Sequence, residues 1–338
     1  MNDLTLDSNI ENITLLDDLT KDSFAEILLD NTFAVFKSTN ELIYLIYTTK
    51  DKSIISYSII ENKKINEIIK AHENYITNIR YFLDKINKRD LILTISASDN
   101  NLKLWNINNY ECLLNLKNIN KRGEINSACF LNHNDQNYII TSNYTIYNDP
   151  IKVYDFNGKL IKEINDSNYR TIFIDTYYDN QLSKNFILTS NKGFVTSYDY
   201  DNNKVYYRYS DEENKIDYCS LIIHSSENND IIKLIASSDD GCIRIWNFHS
   251  GKILKKIKVQ NKYVYGICLW NNDILLVGSG DKTIKVVDLK EGKIINNLVG
   301  HKDDVISLKT IIHPKYGKCL ISQGNGEDQI KIWIIKNK

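Results

Sequence analysis

The sequence predicts an all-β chain folded as a seven-bladed propeller, with four antiparallel strands in each blade, and three observations predict it. One strand, anchored on a large residue and in most copies of apolar-x-apolar-aromatic pattern, recurs seven times. The recurrences are nearly evenly spaced. Between them lie short alternating runs divided by Asp, Asn, Gly and Ser turns, with no long amphipathic helical pattern.

The recurring strand reads SIISYSI (53–59), LKLWNI (102–107), IKVYDF (151–156), FVTSYDY (194–200), CIRIWNF (242–248), TIKVVDL (283–289) and QIKIWII (329–335). Anchored on Tyr57, Trp105, Tyr154, Tyr198, Trp246, Val287 and Trp333, the spacings are 48, 49, 44, 48, 41 and 46 residues. Such a period marks a repeat architecture. The units are expected to end near residues 59, 107, 156, 200, 248, 289 and 335.

Each unit opens on an alternating run, such as YITNIRYF (75–82) or YVYGICLW (263–270). An apolar run follows, such as LILTIS (91–96), LIAS (234–237) or ILLVGS (274–279). A tight turn leads into the anchored strand, and an outer strand such as ECLLNL (111–116), KILKKI (252–257) or KIINNL (293–298) closes the unit. In the anchored strand Ile284 and Val286 point one way and Val287 the other, yet all are apolar, so both faces must be covered. Blades stacked radially around a channel supply that cover. The last unit lacks a fourth strand, and an open edge is a liability. The N-terminal stretch is expected to supply it, from NITLL (12–16) or FAEILL (24–29). Residues 1–10 are expected to be a loose lead, with one propeller over 11–338.

Composition restricts the function. Lys and Arg number 42 against 43 Asp and Glu, so no global field draws the chain to nucleic acid or an anionic membrane. The 22 Tyr and the Asn-rich runs accompany an abundance of other residues with A/T-heavy codons, which weakens any argument from composition alone. The six cysteines form no C-x-x-C pair, and several sit in apolar runs such as NSACF and GICLW. Reduced thiols and an N-terminus without a signal-peptide pattern point to the cytoplasm or nucleus. No apolar stretch reaches the ~20 residues of a membrane span.

The units resemble WD40 repeats. A His follows an outer strand, an apolar-Ser run precedes an Asp in the tight turn, and the anchored strand ends on apolar-x-apolar-Trp-Asp. The resemblance implies a hydrogen-bonded His, Ser, Asp and Trp set within a blade. The second unit matches it as His72, Ser96, Asp99 and Trp105. The seventh offers His301, Ser322 and Trp333, with Glu327 or Asp328 near the Asp place. The fifth offers Ser237, Asp240 and Trp246 without a His, and the sixth keeps Asp281 but has Val287 in place of Trp. The resemblance further implies a protein- or peptide-binding scaffold, a subunit of a larger complex.

No catalytic constellation stands out. GSGDKTIKVVDL (278–289) contains glycines before Lys282 and Thr283, but a phosphate loop needs G-x-x-x-x-G-K-[ST] leading into a helix, and here a strand follows. The glycines are expected to serve a tight turn at positive φ. The histidines lack an i, i+4 partner or a nearby Cys, Asp or Glu set, so no metal is expected. No G-x-S-x-G elbow appears, and no cofactor is expected. Of the acidic pairs Asp17-Asp18, Asp239-Asp240 and Asp303-Asp304, two recur where the blade pattern wants turn or cap residues, so a structural reading is preferred to acid–base chemistry. A channel-sited, hydrolase-like enzyme and a nucleic-acid-associated subunit remain the alternatives.

The loops therefore carry the functional expectation. SNYTIYNDP (142–150) is unusual, and with neighbouring loops it offers Arg122, Tyr144, Tyr147, Tyr169 and Arg170, with Tyr263 further round the rim. Tyr and Arg are enriched at interface hot spots. The loops of the opposite face, DKINKRD (84–90) and YDNQLSKN (178–185), also vary.

Overall fold

The structure, a computed structural model, describes residues 13–18, 32–119, 124–143, 150–165, 171–211, 216–225, 231–326 and 330–335; of residues 13–18 only the backbone is described. No described residue is helical. The strands form seven sheets of four. β1 (Ile13–Asp18) belongs to the last blade. Blade one holds β2 (Phe33–Lys37), β3 (Ile43–Thr48), β4 (Ile54–Ser58) and β5 (Lys63–Ile68). Blade two holds β6 (Asn78–Asp84), β7 (Arg89–Ser96), β8 (Asn101–Asn106) and β9 (Glu111–Lys117). Blade three holds β10 (Ile125–His133), β11 (Gln136–Asn143), β12 (Ile151–Asp155) and β13 (Leu160–Ile164). Blade four holds β14 (Thr171–Asp179), β15 (Lys184–Asn191), β16 (Val195–Asp199) and β17 (Lys204–Tyr209). Blade five holds β18 (Tyr218–His224), β19 (Lys233–Ser238), β20 (Cys242–Asn247) and β21 (Ile253–Lys258). Blade six holds β22 (Val264–Leu269), β23 (Ile274–Ser279), β24 (Thr283–Asp288) and β25 (Lys293–Val299). Blade seven holds β26 (Val305–His313), β27 (Gly317–Gly324) and β28 (Ile330–Ile335).

The ring closes through β1, which pairs antiparallel with β28 as the fourth strand of blade seven. Of the two candidate closing segments, NITLL overlaps β1, while FAEILL and residues 1–10 lie outside the described residues.

The core follows from the pattern. Seven apolar clusters are described, and each joins two neighbouring blades. Cys319, Ile321 and Ile332 of blade seven pack with Phe33, Leu45 and Ile55 of blade one, so the seam at the closure is built like the others. Ile284, Val286 and Val287 are all fully buried, as a strand covered on both faces requires.

One feature of every blade escaped the sequence reading. Pairing between the third and fourth strands shifts register at the anchored position. The shifts fall at Ser56/Tyr57, Leu104/Trp105, Val153/Tyr154, Ser197/Tyr198, Ile245/Trp246 and Val286/Val287. In blade seven the shift falls on β1 between Leu15 and Asp17, opposite Trp333 and Ile332. A bulge of this kind sharpens the local twist of a strand pair. It recurs whether the anchor is Trp, Tyr or Val, so it belongs to the blade geometry and not to one side chain.

Candidate partner-docking surfaces and the central channel

The first strand of each blade faces the axis, and residues of β2, β6, β14, β18, β22 and β26 line one axial cavity. The turns from first to second strand and from third to fourth strand lie on one face, called the lower face here. The second-to-third-strand turns and the links between blades lie on the upper face.

In blade seven, Trp333 Nε1 donates to Ser322 Oγ at 2.7 Å, and His301 Nε2 lies 2.6 Å from the same oxygen. Blade two differs from the expectation. Its shared oxygen is Thr94 Oγ1, 2.9 Å from Trp105 Nε1 and 2.8 Å from His72 Nε2. Ser96 instead donates to Asp99 at 2.8 Å in the turn, where Asp99 also accepts the Asn74 N–H at 2.6 Å. The register explains the correction, because Thr94 pairs with Lys103 and Ser322 with Lys331, each two residues before the Trp. Blade five has Ala236 at this register, paired with Arg244. Trp246 Nε1 is accordingly buried without a partner among the described residues. Ser237 does not serve it, because its hydroxyl donates to the Tyr265 carbonyl at 2.5 Å in blade six.

Burial, aided by the charge of Lys103, lowers the His72 pKa to about 3, so this imidazole is neutral and structural. The turn carboxylates are structural too. Asp240 accepts from Ser238 at 2.6 Å and from Arg244 at 2.7 Å. Burial pushes its pKa up, but the bonds from Arg244 and Ser238 outweigh burial and hold it well below the usual carboxylate range. Asp281 pairs with Lys285 at 2.6 Å and accepts from Ser279 and Thr283. There too burial opposes the shift, and these bonds hold the pKa to about 2. The cation in the anchored strand was a legible but unread signal: Lys152, Arg244, Lys285 and Lys331 share this place and are buried.

GSGD is thus a carboxylate-braced turn. Neither glycine has positive φ; Lys282 does, at 70°. Gly278 is required by close approach, because a Cβ there would lie 2.4 Å from the Val305 carbonyl oxygen of the next blade. Around Gly280 a Cβ would meet nothing closer than 3.4 Å.

Of the expected rim residues, Arg122, Tyr144, Tyr147, Tyr169 and Arg170 lie outside the described residues, as do Glu327 and Asp328. Tyr263 is described. It is 52% exposed on the upper face and stacks on Tyr265 at 5.8 Å. The Tyr265 hydroxyl donates to Asp304 at 3.1 Å. The carboxyl pKa values of Asp304 and Asp239 are raised, chiefly by burial, with added repulsion from Asp303 and Asp217 respectively.

In the channel Arg80, from β6, crosses blade three to reach blade four. Its Nε donates to the Ala128 carbonyl at 3.1 Å and its Nη2 to the Ile174 carbonyl at 2.7 Å. Its guanidinium lies 4.8 Å over the Phe173 ring, and Nη1 is 3.5 Å from Asp175 Oδ2. Cavities of about 370 and 320 Å³ both touch Arg80 and Asp175. Among the described residues no group of three His, Cys, Asp or Glu is placed to hold a metal ion. No helix among them is long and apolar enough to cross a membrane.

Comparisons with known proteins agree with this architecture. Residues 213–247 match the family described as WD domain, G-beta repeat. The chain is 28% identical over 74 residues to the U3 small nucleolar RNA-associated protein 21 homolog of Schizosaccharomyces pombe, a match covering 22% of this chain and 8% of that protein. It is 26% identical over 106 residues to Denticleless protein homolog B of Xenopus laevis, covering 30% of this chain and 14% of that protein. It is 30% identical over 105 residues to Cell division cycle 20.6, cofactor of APC complex, of Arabidopsis thaliana, covering 31% and 24%. The matched segments thus span less than a quarter of each relative's length. Seven four-stranded blades in a ring, shared-hydroxyl His and Trp networks, and the matching repeat together show that the chain belongs to the WD40-repeat β-propeller family.

Proposed function

We propose that this propeller is a non-enzymatic docking platform for proteins or peptides and serves as a subunit of a multiprotein complex. The observation that carries this reading is the division of labour among its polar groups. Those at repeating positions are spent on holding blades: His72 and His301 on shared hydroxyls, Asp240 and Asp281 on turns. The turns between them hold exposed groups such as Tyr263. The Arabidopsis relative, named as a cofactor of APC complex, supports a role within an assembly. None of the six cysteines is joined in a disulfide, which supports a reducing, intracellular setting.

The test is affinity capture from the native cell, wild type beside a folded Arg122→Glu, Tyr147→Ala, Arg170→Glu, Tyr263→Ala variant, read by mass spectrometry. The reading expects stoichiometric partners that the variant loses. Recovery of the chain alone would contradict the docking role, and an unchanged partner set would remove the upper rim as its surface.

A further inference from the structure

The lower mouth of the channel sets an exposed carboxylate beside aromatic side chains. Its cavity of about 370 Å³ lies among blades two, three and four and is lined by Phe82, Phe130, Asn132, Asp175, Tyr178 and Asn185, with Arg80 at its floor. The volume is that of a small binding pocket. Phe82 stacks on Phe130 at 4.8 Å, and Phe156 meets both edge-on. Tyr178 stands 51% exposed at the rim.

The charges in this mouth are not equivalent. Arg80 is only 13% exposed in its side chain, and its Nε and Nη2 are engaged by carbonyls. An incoming anion would find little of this guanidinium open and would face a carboxylate beside it. The Asp175 side chain is 41% exposed and lies a long 3.5 Å from Arg80. Lys309 lines the neighbouring cavity and not this one. Around the mouth, His133 Nδ1 lies 3.3 Å from Asp201, and Lys184 is paired with Asp199 at 2.8 Å. The open charge is therefore negative, and the walls beside it are aromatic. A carboxylate and aromatic faces select the same ligand, a cation with an apolar stem.

We propose that the lower mouth binds a cationic side chain, the arginine or lysine of a partner peptide, with Asp175 as its counter-charge and Phe82 and Tyr178 as its aromatic wall. The site rests on the docking reading and adds to it a second surface, opposite the Tyr263 rim, with a stated chemistry.

The test uses the full chain and acetylated, amidated pentapeptides Gly-Gly-X-Gly-Gly with X as Arg, Lys, Gln or Glu, titrated by calorimetry. At least one cationic peptide is expected to bind saturably, with Kd on the order of 1 mM, and the Gln and Glu peptides are not. Asp175→Asn is expected to weaken binding about tenfold and Tyr178→Ala about threefold. If Asp175→Asn fails to fold, the exposed Tyr178→Ala decides. No saturable binding of either cationic peptide up to about 10 mM overturns the proposal. So does equal binding of the Gln peptide, or unchanged affinity in the folded variants. A chain that captures partners but ignores all four peptides loses this site alone; one that binds the cationic peptides but captures no partner loses the docking reading alone.

Discussion

Leu15 lies in register with Trp333, near opposite ends of the chain, and the next pair in the ladder is Asp17 with Ile332. The residue skipped between them makes β1 bulge where every other outer strand bulges. Leu104 and Trp105 show the same step against β9, and Ile245 and Trp246 show it against β21. The N-terminal strand is therefore a full structural equivalent of the outer strands and not a loose cover on an edge.

Thr94 is the hydroxyl that blade two depends on. Thr94→Ala would leave His72 and Trp105 without their shared oxygen and is expected to cost about 2–4 kcal/mol in urea unfolding. Ser96→Ala removes one turn bond and is expected to cost about 1 kcal/mol. A larger loss for Ser96→Ala would restore the assignment first made from sequence.

Blade five offers the complementary experiment. Ala236→Ser places a hydroxyl at the register where blades two and seven have theirs, beside the unpartnered Trp246 indole N–H. The expected gain is about 0.5–1 kcal/mol. A destabilisation would show that the buried site has no room for the oxygen.

The two glycines of GSGD should separate cleanly. Gly278→Ala drives a methyl group into the Val305 carbonyl and is expected to lose about 1–3 kcal/mol. Gly280→Ala is expected to stay within about 0.5 kcal/mol of wild type. Equal losses would point to a turn requirement for both.

Acid should weaken the fold in two windows. The folded pKa of His72 lies below its ordinary 6.5, so the folded state resists protonation; stability is full above pH 6.5 and falls toward about pH 3. Asp281 is depressed from 3.8 to about 2, so its contribution is present above 3.8 and fades as pH falls toward 2. Chemical unfolding across pH should show a shallower slope for His72→Gln in the upper window and for Asp281→Asn in the lower. Slopes unchanged from wild type would remove these groups from the acid response.

Much of the fold was legible because the signal repeats. The anchored strands, their turns and the need for an N-terminal closing strand could each be checked against six other copies. What stayed hidden depended on register or on distant chain. Thr94 and Ser96 lie two apart on the same strand, and only pairing with Lys103 shows which one meets Trp105. Gly278 looked like a turn glycine because the carbonyl that crowds it belongs to Val305. Arg80 gave no local sign of reaching Ile174 across another blade. The buried cation of the anchored strands repeats in plain view, yet a Lys between apolar residues reads as a solvated face until the neighbouring blade covers it.

The closure is tested most directly by hydrogen–deuterium exchange on the intact chain, following the peptide that spans Ile13–Asp18. The ring described here predicts protection of those amides comparable to the outer strands β9 and β21, because β1 is hydrogen-bonded to β28 in the same way. Complete exchange at the earliest time point, with β9 and β21 protected, would contradict it.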